Sequence, residues 1–260
     1  MLNVSLSAFI LSGLLLSNAF AASEKTQIEL ADRTVRGLID HPKGDGPYPL
    51  LIVAVGDDAD AKNPFYEKLV RSAVAEGFVT LRIDWSYKSS KPATNPDLKR
   101  EAEELGVAIE LASSRMMKQY FVDSTKLALF AKGYGAKVAM NLESGAFGEK
   151  IKAALLANPP CDSSAGSFAS TYAPFLAAKT PRMIIAERGA GCPLPQIYSA
   201  LKDFGEDSSL FVGEANPESV LSATANWLRA RGWSPAKKAA SKAPNVKKHA
   251  HDAHSAGTHP

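Results

Sequence analysis

The strongest constraint in this sequence is an alternation that repeats along most of its length. Short apolar runs, ended by a glycine or an acid, are followed by stretches with helical spacing. Leu50–Val55 is apolar throughout and stops at Gly56; Pro64–Glu76 then has helical periodicity until Gly77 breaks it. Phe78–Asp84 is the next strand-like run, and Asp97–Lys118 places Leu98, Ala102, Leu105, Ile109 and Ala112 on one helical face. Lys126–Ala131 turns at Gly133 into a helix predicted from Gly135 to the region of Glu143. Ile151–Ala157, Arg182–Ala186 and Ser209–Val212 supply three more strands, and helical patterns at Leu194–Lys202 and Pro217–Arg231 separate and close them. Ahead of the series, Gln27–Arg33 and Thr34–Asp40 are predicted to pair as short strands.

Wholly apolar strands need cover on both faces, so the alternation predicts an α/β fold: a mainly parallel sheet with helices on both sides. Sites in such sheets form at the carboxyl ends of the strands. The segments to watch are therefore Gly56–Pro64, Ala131–Gly135, Asn158–Ser164, Glu187–Pro193 and Gly213–Pro217.

Composition narrows the chemistry. The chain has 260 residues and five histidines, of which only His41 lies in the body; His249, His251, His254 and His259 fall near the end. Net charge is +3, but residues 234–260 hold five lysines against the single Asp252, which leaves 22–233 at −1. The basic balance belongs to the tail and gives no basic nucleic-acid surface on the fold. Two cysteines exclude a disulfide-dense scaffold and a thiolate-only zinc site.

Both ends read as separate segments. Residues 1–21 carry an apolar run, Ala8–Leu16, followed by Ala19-Phe20-Ala21, the small-residue pattern of a signal-peptide cleavage site, though no Lys or Arg precedes it. Export to a periplasm or the exterior is expected, with no transmembrane span left after cleavage. Residues 234–260 are rich in Ala, Lys, Pro and His and have too little apolar surface to offset ordering, so disorder is expected. His249, His251 and His254 are spaced to chelate a divalent metal adventitiously, and the lysines suit salt-sensitive contact with anionic surfaces. No cofactor is otherwise expected. Residues 22–233 form the single folded domain.

Within that domain PKGDGPYPLLIVAVG, NPFYEKLVRSAVAEGFVTLRIDWSY and LALFAKGYGAKVAMNL resemble, in order and spacing, the small dienelactone-hydrolase-like branch of the α/β-hydrolases. The resemblance covers Thr34 to Trp233 and implies the α/β-hydrolase fold without a large lid domain. It also implies a nucleophile elbow, G-x-S-x-G, at Ala131-Lys132-Gly133-Tyr134-Gly135. The small residues of that turn are present, yet Gly133 stands where the nucleophile is expected. Gly189 falls at the expected acid and Asn216 at the expected base. Asparagine cannot take a proton from a serine at neutral pH. No histidine occurs between His41 and His249, and His41 is expected at the early edge of the sheet, away from the elbow.

The loop expected to supply oxyanion-binding N–H groups reads Gly56-Asp57-Asp58-Ala59-Asp60. Its carboxylates would repel an oxyanion and suit instead a hard cation or plain solvation. Gly56, Asp57, Asp58, Lys132 and Tyr134 are the candidate cleft-lining residues. Cys161 and Cys192 follow strands that are neighbours in the α/β-hydrolase order, which implies loops on one rim. A disulfide there would close the former acid loop; two reduced thiols are the rival, with no nearby base to activate either.

The expected function is therefore that of an exported pseudo-hydrolase that binds a ligand or envelope protein. The alternative is a weak esterase or dienelactone-hydrolase-like hydrolase with a relocated site, for example a metal-assisted one on Asp57, Asp58 and Asp60. A third reading makes the tail the binding element and the body its carrier.

Overall fold

The computed structural model describes residues 23–31, 34–56, 63–84, 98–120, 122–142, 149–161, 167–188, 191–203, 207–213 and 217–233. The expected signal segment and tail, with His249, His251 and His254, lie outside them, as do Asp57, Asp58, Asp60, Gly189 and Asn216. Among the described residues no helix is long and apolar enough to cross a membrane.

Among the described residues eight strands form one sheet: β1 (Glu24–Glu29), β2 (Thr34–Asp40), β3 (Tyr48–Val55), β4 (Val79–Asp84), β5 (Val122–Lys132), β6 (Ala153–Ala157), β7 (Arg182–Glu187) and β8 (Ser208–Gly213). Their spatial order is β1-β2-β4-β3-β5-β6-β7-β8. β2 runs antiparallel to both β1 and β4, and the remaining neighbours are parallel. The helices described are α1 (Pro64–Ala75), α2 (Leu98–Gln119), α3 (Tyr134–Met140), α4 (Phe168–Thr171), α5 (Ala173–Ala177), α6 (Leu194–Asp203) and α7 (Pro217–Ala230).

The strand period of two splits the core into two layers. Leu50, Ile52 and Ala54 of β3 join one cluster with Leu105 and Ile109 of α2, Val138 of α3 and Ile197 of α6. Leu51, Val53 and Val55 point the other way, against Leu69 and Val70 of α1 and Trp227 and Leu228 of α7. The expected apolar face of Asp97–Lys118 is the face used: Ala102, Leu105, Ile109 and Ala112 are buried.

Several limits differ from the sequence reading, each for a local reason. β1 starts at Glu24 rather than Gln27, because its partner β2 offers a full ladder from Thr34 to Ile39. α3 stops at Met140, short of Glu143; there Asn141 caps it and its Nδ2 donates to the Lys137 carbonyl at 2.8 Å. α4 and α5 were not foreseen, because helices of four and five residues are too short for an apolar period to repeat. α4 is capped by Ser167, whose Oγ accepts from the Ser170 N–H at 3.3 Å, and α5 is held by Arg182, whose guanidinium is buried and donates to the carbonyls of Phe175 (2.6 Å), Leu176 (2.9 Å) and Ala178. Burial pulls the Arg182 pKa below its ordinary value while nearby Asp207 favours the charge. A second buried cation, Arg82 on β4, bonds Asp40 of β2 at 3.2 Å and locks the antiparallel pair to the parallel sheet.

Candidate functional site

The carboxyl ends of β3, β5, β6 and β7 bring the described parts of four watched segments, Gly56, Ala131–Gly135, Asn158–Cys161 and Glu187–Arg188, to one rim. β5 ends at Lys132, and the chain reverses into α3 through Gly133, whose φ of 56° and ψ of −127° put it in a region that side-chain-bearing residues seldom occupy. The turn is pinned to its neighbour strand, because the Gly133 N–H donates to the Ala157 carbonyl at 2.9 Å. Gly135 explains why the following residue but one is small. A Cβ there would lie 3.3 Å from the Ala54 carbonyl oxygen and 3.4 Å from Gly56 Cα and N. The start of α3 thus rests directly on the end of β3, and Gly56 and Gly133 share one corner.

The two residues flanking Gly133 diverge. Lys132 places its Nζ 4.8 Å from the centre of the Phe65 ring, at the head of α1. That head is fixed by Asn63, whose Oδ1 accepts from the Phe65 N–H at 2.9 Å. Tyr134 goes to the opposite face of the sheet, where it packs against the α2 layer and its hydroxyl donates to Glu101 Oε2 at 2.8 Å. Glu101 is 3 % exposed, an acid embedded in the apolar face of α2.

Across the rim, the ends of β6 and β7 are cross-braced. Asn158 adopts a φ of 47°, the left-handed region that asparagine tolerates better than most residues. Its Oδ1 accepts from the Glu187 N–H at 2.9 Å, and its Nδ2 donates to Glu187 Oε2 at 3.3 Å. Cys161 and Cys192 are joined in a disulfide with a Cα–Cα distance of 4.7 Å. Beside it the Cys192 N–H donates to the Pro159 carbonyl at 3.2 Å. Gly191, at φ 66°, must be glycine there, since a Cβ would fall 2.7 Å from the Pro159 oxygen. The Tyr172 hydroxyl donates to the Pro160 carbonyl and ties the same loop to α4.

Of the residues singled out in the sequence, Gly56, Lys132 and Gly133 meet at this rim, and Tyr134 leaves it for α2. His41 sits at the other end of the sheet: its neighbour Asp40 pairs with Thr80 at the start of β4. Its ring packs 5.5 Å from that of Tyr120. Among the described residues no three His, Cys, Asp or Glu side chains are grouped to hold a metal. The Glu101–Tyr134 and Asn158–Glu187 pairs were not foreseen. The first had a signal, an acid at the i−4 position from Leu105 on an otherwise apolar helix face; the second had none beyond an Asn after a buried strand.

No protein-family model matches the sequence, and no curated protein does so. Solved structures do match. A dienelactone hydrolase from Anabaena variabilis superposes with a TM-score of 0.62 at 15% identity, covering 80% of this chain and 97% of its own. The Pyrococcus furiosus esterase Pf2001 gives a TM-score of 0.59 at 15% identity, over 80% of this chain and 92% of its own. A cold-adapted esterase from an Arctic intertidal metagenomic library gives 0.59 at 15% identity, over 80% and 93%. With its strand order, its elbow-like turn at Gly133 and these structural counterparts, the chain has the α/β-hydrolase fold.

Proposed function

We propose that this protein is an exported α/β-hydrolase-fold protein that binds a ligand or an envelope protein at the carboxyl-end rim without hydrolysing esters. The single observation behind this reading is Gly133. The turn that presents a nucleophile in this fold keeps its positive φ and its close packing through Gly135, and the residue at its tip has no side-chain oxygen or sulfur. An acyl-enzyme needs that atom and a base to deprotonate it. Gly189 and Asn216, at the acid and base positions the resemblance implies, support the same reading, as does a sequence with no histidine between His41 and His249. Export is supported by the character of residues 1–21 and by a disulfide of a kind that persists in oxidising compartments.

The test uses residues 22–260, made in an oxidising host, with a fluorophosphonate probe and p-nitrophenyl acetate. The natural protein and Gly133→Ser should both remain unlabelled, and neither should show saturable turnover, because a restored hydroxyl still lacks its base. Stoichiometric labelling of the natural protein, mapped by peptide mass spectrometry to any residue, overturns the proposal in favour of a relocated esterase site.

A further inference from the structure

The two edges of the sheet are built differently. β1 is the edge strand on one side, and it exposes Glu24, Lys25, Gln27 and Glu29. Charges along an edge are the usual protection against pairing with another strand. β8, at the far edge, reads Ser-Ser-Leu-Phe-Val-Gly, with no charge and no proline. It runs in unbroken register with β7, from Arg182↔Ser208 to Glu187↔Gly213, so no bulge twists the edge away. Val212 is 41% exposed, and α6, the helix that packs on β8, carries Tyr198 at 63% exposure.

We propose that the β8 edge is an interface for a second copy of this chain, whose own β8 pairs with it antiparallel about a two-fold axis. Self-complementarity of the strand favours this occupant. Directly opposed residues in an antiparallel pair lie on the same face of the sheet. Leu210 packs toward the α2-side core and Phe211 toward the α1-side core, so a register that keeps each layer continuous must oppose residues of equal parity. The register centred on Phe211 does so: Phe211 meets its own copy, Leu210 meets Val212, and Ser209 meets Gly213. No charge faces a like charge, and the exposed Val212 gains an apolar neighbour. A two-fold interface is self-matching by construction and closes at two copies.

Sedimentation velocity of residues 22–260 across a hundredfold concentration range tests this. The expected result is a species of twice the monomer mass, with Val212→Lys weakening the dissociation constant at least about tenfold and Val107→Lys on α2 leaving it unchanged. Hydrogen exchange of the natural protein, at concentrations either side of the midpoint, needs no variant. It should show β8 amides gaining protection in the dimer while β1 amides do not. A monomer at every concentration, or a dimer in which Val212→Lys has no effect and β8 gains no protection, overturns the proposal.

Discussion

Two parts of the same rim keep their shape by different means. At the β5 corner, Gly133 and Gly135 hold the elbow by absence: a residue that tolerates φ of 56° and one with no Cβ to strike the end of β3. At the β6–β7 corner the chain is held by additions, namely the Cys161–Cys192 bond, the Asn158 clamp on Glu187 and the Tyr172 bond to Pro160. The first corner needs no side-chain chemistry to persist, because backbone conformation and the lack of a Cβ are enough to hold it. The second corner is specific to this chain's own side chains, and each can be removed singly.

The largest effect is expected from the covalent brace. Replacing both Cys161 and Cys192 by Ala should lower unfolding free energy by about 3–4 kcal/mol, the entropy of closing a loop of this length. Urea denaturation with and without reductant checks it; a loss below about 1 kcal/mol would mean that side-chain bonds alone suffice at this corner. Next comes the corner held by absence. Gly135→Val forces branched carbons against the Ala54 carbonyl and Gly56, and should cost about 3 kcal/mol in the same titration. An unperturbed midpoint would show that the elbow can slide away from β3.

A smaller effect separates strain from bonding at Asn158. Asn158→Ala loses both Glu187 bonds and keeps an unfavourable positive φ, for about 2 kcal/mol. Asn158→Gly loses the bonds alone and should be the milder by about 1 kcal/mol. Equal melting curves for the two would remove the strain argument. The smallest change is Tyr134→Phe, which takes one donor from the buried Glu101 and should cost about 1 kcal/mol or less. A neutral outcome in thermal melts would mean that the carboxyl group is satisfied by its other neighbours.

The legible part of this molecule was its periodic part. Apolar runs such as Leu50–Val55 and the α2 face can be read because burial on both sides of a sheet, or on one side of a helix, fixes spacing over many residues. The pairing of Cys161 with Cys192 followed from strand adjacency, which the resemblance implied. What escaped was aperiodic. Two helices of four and five residues leave no spacing to detect, and the support of the second, Arg182, sits at the start of a strand and reaches back to three carbonyls. The Asn158 clamp depends on one backbone angle, and one angle leaves no mark on composition.

The strand order also bears on how fast the molecule can form. β3 lies between β4 and β5, so the middle of the sheet is complete only once the chain as far as Lys132 is in place. The β1–β2 hairpin can close locally, but its link to the sheet, Arg82 on Asp40, waits for β4. Closing such distant neighbours carries the loop entropy before any contact rewards it, which slows folding relative to local hairpins and helices. Refolding should therefore be limited by the meeting of β3 with β5 rather than by any single element.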